Sequence, residues 1–153
     1  MKPMKHILLL GCVGLALASP AYSETDNTVI NSKGEPVYLF EWMKQPEFKK
    51  LWLKQVWQYT PKAPMNRWVR DMSGPMPPLE RVKIGGKEYY ATEMCQPHNC
   101  PDNKICILTD KKQIFAYHVI EHEANASAKR FVETYTYGKP NVEQLHYLKT
   151  RLE

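Results

Sequence analysis

Residues 79–94, LERVKIGGKEYYATEM, decide the fold. Two runs rich in β-branched and aromatic residues, Leu79 to Ile84 and Lys87 to Met94, straddle Gly85-Gly86, a two-residue connection that tolerates the positive backbone angles of a tight hairpin. The rhythm continues downstream. A strand over about 103–109 precedes the Asp110-Lys111-Lys112 turn and a strand from Gln113 to Ile120, and Lys129 to Tyr137 reads as a fifth, although Glu121 to Glu133 can also be drawn as a helix. Upstream, Pro46 sits where a first helical turn accepts proline, and Phe48, Leu51, Trp52, Gln55, Val56 and Tyr59 recur at helical spacing. That pattern predicts a helix over about 45–59, ended by Pro61 and Pro64. Val37 to Trp42 reads as a short strand or helix entry, Asn66 to Met72 as a connector whose Trp68 packs inward, and residues 74–78 as a stiff turn. Pro140-Asn141 opens a closing helix with Val142, Leu145, Leu148 and Leu152 on one face. Helices at the ends and strands between them imply the α+β class, a central antiparallel meander of about five strands with flanking helices.

The N-terminus speaks to destination. Lys2 and Lys5 precede an apolar run from Ile7 to Ala18 that is short for a retained span, and Ala21-Tyr22-Ser23 places small residues where a signal peptidase reads. Residues 1–23 are therefore expected to be a cleaved signal peptide and residues 24–153 one domain of 130 residues. Leu9 to Cys12 offers a weaker lipoprotein reading that would discard most of the apolar run. Loss of Lys2 and Lys5 brings the formal charge from +5 to about +3, which excludes little. Lys49, Lys50, Trp52, Lys54 and Trp57 interleave as a nucleic-acid face would, yet a solvated helix side explains the lysines equally well and export disfavours that partner. Residues 24–34 are polar and aperiodic, a flexible lead-in, and Asn125-Ala126-Ser127 matches a glycosylation acceptor by chance.

Removal of the leader leaves Cys95, Cys100 and Cys106. Cys95 and Cys100 flank Gln96-Pro97-His98-Asn99, whereas Cys106 lies within a strand-like run, so a Cys95–Cys100 bridge and a buried free Cys106 thiol are expected. Several readings compete for this loop. It can be a stabilised turn with an exposed histidine. Cys95, His98, Cys100 and Cys106 can be drawn as a zinc set, but their spacing matches no common paired signature. A cysteine nucleophile with His98 or His118 as base would need a free thiolate, which the bridge removes. His118 and His122 read as sheet-surface and turn residues and His146 as solvated. No acid/base pair or open metal site can be assembled, so neither catalysis nor a cofactor is expected.

The loop Cys95-Gln96-Pro97-His98-Asn99-Cys100 resembles the hallmark Cys-Lys-Pro-His-Asp-Cys of the inhibitor of vertebrate lysozyme family of Gram-negative periplasmic proteins, with Cys95, Pro97, His98 and Cys100 in register. The signal peptide, the mature length and the helix-then-meander order are similar as well. The resemblance implies a central antiparallel sheet with flanking helices, bridged loop cysteines, a periplasmic location, and a loop histidine that enters the active cleft of C-type lysozyme. Gln96, Pro97, His98 and Asn99 would form the lysozyme-binding loop, and a homodimer would follow from analogy alone. Gln96 and Asn99 replace a lysine and an aspartate, so the loop lacks one charge of each sign. That departure keeps open an alternative, a diverged member acting as an envelope interaction or cell-wall-binding module.

Overall fold

The computed structural model describes residues 27–124 and 129–153. The expected leader and the Asn125-Ala126-Ser127 acceptor lie outside the described residues. Five strands, β1 (Glu80–Ile84), β2 (Lys87–Cys95), β3 (Asn103–Thr109), β4 (Ile114–His122) and β5 (Phe131–Tyr137), pair antiparallel in chain order. Ile84 pairs with Lys87 across Gly85-Gly86, and both glycines take positive φ, 56° and 79°, as the two-residue hairpin requires. The expected meander and the α+β class are therefore observed. Glu121 and His122 continue β4, which removes the helical alternative for residues 121–133.

Alternation along the strands sorts side chains onto two faces, and both are apolar. Met94, Ile105, Ile107, Ile114, Ala116 and Tyr137 share a cluster with Leu39, Trp42, Phe48, Trp52, Trp68 and Val69 from α1 (Leu39–Trp42), α2 (Pro46–Gln55) and α3 (Arg67–Asp71), and with Val56 just beyond α2. Tyr89, Ala91, Cys106, Leu108 and Phe115 on the opposite face pack against Leu148 and Leu152, at the end of α4 (Val142–Thr150) and just beyond it. A sheet with two apolar faces has to be covered on both, and the chain does this with helices from its two ends.

Local chemistry sets these helices. Pro46 opens α2 at its first turn, and the Trp52 indole N–H donates to the Val69 carbonyl at 2.8 Å, tying α2 to α3. Asn141 caps α4 in a reciprocal box, its Oδ1 accepting from the Gln144 N–H at 2.9 Å while Gln144 Oε1 accepts from the Asn141 N–H at 2.8 Å.

Three expectations need correction. Residues 27–34 are not a loose lead-in, because Val29 is buried and its backbone N–H donates to Leu79 at 2.7 Å, laying this segment along the sheet edge. The α-helical part of the 45–59 helix stops at Gln55 and a 3₁₀ turn spans Trp57–Tyr59, which shifts the phase and leaves Tyr59 exposed. Val142 is likewise exposed, since the buried side of α4 runs through Gln144 and Leu148, with Gln144 Nε2 donating to the Tyr89 hydroxyl at 2.8 Å.

Gly138, after β5, has φ 77°, and a Cβ built there would lie 1.9 Å from the Ile114 carbonyl oxygen. Gly138→Ala is expected to destabilise the protein by about 2–4 kcal/mol, read as a lower urea midpoint, from left-handed strain and displacement of β4 together.

Candidate functional site

The β2–β3 connection begins at Gln96, where β2 leaves the ladder, and ends as β3 starts at Asn103. The Gln96 N–H donates to the Asn103 carbonyl at 2.8 Å, closing the base. The Asn99 N–H donates to the Gln96 carbonyl at 3.0 Å across Pro97-His98. Proline second and a positive φ third is the pattern of a type II turn, whose third position usually goes to glycine or asparagine. Here His98 occupies it at φ 65° and is exposed. A left-handed conformation costs a non-glycine residue about 1–2 kcal/mol, so the surroundings must hold it.

Several bonds supply that restraint. Cys95 and Cys100 are joined by a disulfide with Cα atoms 4.8 Å apart. Chain-entropy arithmetic gives a ring this small only about 2 kcal/mol, so its larger effect is to fix the shape of the turn. The Asn99 carbonyl accepts from the Asp102 and Asn103 N–H groups at 3.3 and 3.1 Å, and the Asp102 carbonyl accepts from the Glu121 N–H at 2.6 Å, anchoring the return limb to β4. Beneath Cys95, a Cβ on Gly74 would lie 2.1 Å from the Cys95 carbonyl oxygen, so only glycine lets the 74–78 turn pass this close. On the α4 side the disulfide walls a groove of about 500 Å³ whose rim carries Arg151, paired with Glu93 at 2.7 Å.

Polar side chains continue the support inward. Asn103, 1% exposed, donates through Nδ2 to Gln96 Oε1 at 2.8 Å and to Asn66 Oδ1 at 3.2 Å. Its Oδ1 lies 2.6 Å from His118 Nε2. With both Nδ2 protons committed, that oxygen accepts, so His118 carries its proton on Nε2 and its bare Nδ1 accepts from the Tyr137 hydroxyl at 3.2 Å. Thr60, 3.4 Å from that hydroxyl, donates to the Val56 carbonyl at 3.0 Å. Through Asn103 and Asn66, at the entry to α3, the loop is thus connected by hydrogen bonds to the helical layer.

The expectation that His118 lies on the sheet surface is wrong. It is fully buried, edge-on to Trp68, because β4 is an interior strand with apolar layers on both faces. Burial lowers its pKa from 6.5 to about 4, keeping it neutral. His122 sits at the end of β4 rather than in a turn, stacked on Phe131 at 4.2 Å, and His146 is exposed. Cys106 is the buried free thiol, its pKa pushed up to about 12 by burial, which suppresses the thiolate. The zinc and nucleophile readings lose two of their cysteines to the bridge. Four of the residues expected in the site, Gln96, Pro97, His98 and Asn99, form one turn. Sequence reasoning missed Asn103, Asn66 and the inward role of Gln96. For His118 a signal existed, since it alternates in phase with Ile114, Ala116 and Ile120.

The sequence profile of the inhibitor of vertebrate lysozyme (Ivy) family matches residues 53–141, more than half of the chain, including all five strands and the loop. The chain belongs to the Ivy family. Among curated relatives, an inhibitor of vertebrate lysozyme from Pseudomonas aeruginosa is 26% identical over 160 aligned positions, spanning 100% of this chain and 96% of the relative. An uncharacterized protein from Yersinia pestis is 29% identical over 140 positions, spanning 82% of this chain and 88% of its own. Within an Ivy domain, then, the bridged turn is carried on a sheet whose buried face holds a polar chain leading to the turn's base.

The depressed pKa of His118 fixes the sign of a pH effect. Between pH 6.5 and about 4 the unfolded chain binds a proton that the folded one refuses. Stability is therefore complete above pH 6.5 and falls as the pH drops, by about 3 kcal/mol at the lower end of that window. Urea denaturation across this range measures it, and His118→Gln, which keeps a donor and an acceptor but does not titrate, is expected to remove this component of the slope.

Proposed function

We propose that this chain is a protein inhibitor of C-type lysozyme that fills the glycosidase cleft with His98. One observation carries the reading: an exposed histidine stands at a left-handed turn position inside a disulfide ring, where a glycine would serve stability better. Lysozyme is a retaining glycosidase with two catalytic carboxyl groups roughly 5 Å apart, one kept protonated by an apolar pocket and one ionised. A neutral imidazole offers one acceptor and one donor nitrogen. It accepts from the protonated acid and donates to the carboxylate, so both groups are satisfied in their resting states and no chemistry follows. Pro97 and the ring leave little conformational entropy to lose on binding.

The same reading makes residues 1–23 a cleaved leader, residues 24–153 the single mature domain, and the periplasm its compartment. This is a binding protein rather than an enzyme. A second reading, an envelope interaction or cell-wall-binding module, draws on Gln96 and Asn99, which leave the loop tip without the two charges of the family motif.

Titration of purified C-type lysozyme on peptidoglycan with the mature protein and with His98→Gly separates these. The wild type is expected to inhibit, and the variant to weaken inhibition about 100-fold or more, because two hydrogen bonds to charged or acidic groups are lost. Its thermal stability should be unchanged or raised by up to about 1 kcal/mol, since glycine relieves the positive φ. Absence of inhibition by the wild type would favour the second reading, and undiminished inhibition by His98→Gly would remove His98 from its role.

A further inference from the structure

We infer that Asn103 is a positioning residue of the inhibitory loop, latching it through the Gln96 carboxamide so that His98 projects in one direction. The inference rests on the loop being the inhibitory element. Asn103 meets the loop three times. Its backbone carbonyl accepts from the Gln96 N–H at 2.8 Å, its backbone N–H donates to the Asn99 carbonyl at 3.1 Å, and its Nδ2 donates to Gln96 Oε1 at 2.8 Å. The first two bonds fix the ends of the Gln96–Asn99 turn. The third fixes the orientation of the residue that precedes Pro97, one bond upstream of the torsions that aim His98.

The amide of Asn103 cannot turn over. Rotation by 180° would set its oxygen against the oxygens of Gln96 and Asn66. Asn66 is held in turn by its Nδ2, which donates to the Pro61 carbonyl at 3.2 Å. The network thus ties Asn103 in β3 to Asn66 in the α2–α3 connection and to His118 in β4, which in turn meets Tyr137 in β5. The chemistry also assigns a specific meaning to glutamine at position 96. A lysine there, as in the family motif, has no acceptor for the Asn103 N–H, so this chain holds its loop by an amide latch that the motif's lysine could not form.

Gln96→Met, similar in shape without an acceptor, and Gln96→Glu, which keeps the acceptor, test the latch. For Gln96→Met, dissociation from C-type lysozyme is expected to quicken about 10-fold because the loop no longer holds one orientation, and the melting temperature to fall by several degrees because the Asn103 N–H is left unpaired. Hydrogen exchange of the Asn99 amide in the free protein should quicken alongside. Gln96→Glu should stay within about 2-fold of the wild type in both measurements. In an Asn103→Ala background that folds, Gln96→Met should add nothing further. Unchanged dissociation and exchange in Gln96→Met, or equal impairment in Gln96→Glu, or additive effects in the double variant, would overturn the assignment. Should the wild type fail to inhibit lysozyme, the functional reading falls, while the exchange measurement still decides whether the latch exists.

Discussion

Pairing of β2 with β3, with Ala91 opposite Leu108 and Cys95 opposite Lys104, governs the two faces of the sheet and the loop alike. A shift of β2 by one residue against β3 would send Met94 to the α4 side and turn Tyr89 and Ala91 toward α2. In the observed register the ladder reaches its end with Gln96 facing Asn103, and the chain must close over six intervening residues. The disulfide narrows that closure further. What protrudes is therefore a turn rather than a flexible loop, and its base is set by the same hydrogen bonds that continue the sheet.

The layer under the loop carries polar groups where an apolar layer would be simpler. Asn103, His118, Tyr137, Thr60 and Asn66 are all buried, and each unpaired donor there would cost about 1–3 kcal/mol. They persist because they satisfy one another and the backbone: Asn103 bonds Asn66 and His118, His118 bonds Tyr137, and Asn66 and Thr60 donate to the Pro61 and Val56 carbonyls. Such a network contributes less to stability than to uniqueness. Hydrophobic side chains pack in several near-equal ways, whereas Asn103 has one orientation.

Strain and support are divided between neighbours. His98 occupies a backbone region that histidine enters at a cost, and Pro97, the disulfide and the Asn99 bonds hold it there. The loop tip carries neither the lysine nor the aspartate of the family motif, and its shape is held by the disulfide and backbone hydrogen bonds instead. Preorganisation is independent of ionic strength, unlike a lysine contact at an exposed rim.

Alternating β-branched residues, the Gly85-Gly86 punctuation and the helical spacing after Pro46 suffice to read the α+β class, the five strands and their order from the amino-acid sequence, because period and turn chemistry are local properties. The Cys-x-Pro-His-x-Cys loop and the pairing of its cysteines were legible for the same reason: a six-residue ring constrains itself. Val29, Tyr59 and Val142 were misread where burial depended on what packed against them, and no local pattern encodes that. His118 and Asn103 mark the boundary most sharply. Each is an ordinary polar residue in its own strand, and only the stacking of two helical layers on the sheet removes water from them, forces them to satisfy one another, and turns a pair of distant side chains into the footing of the loop.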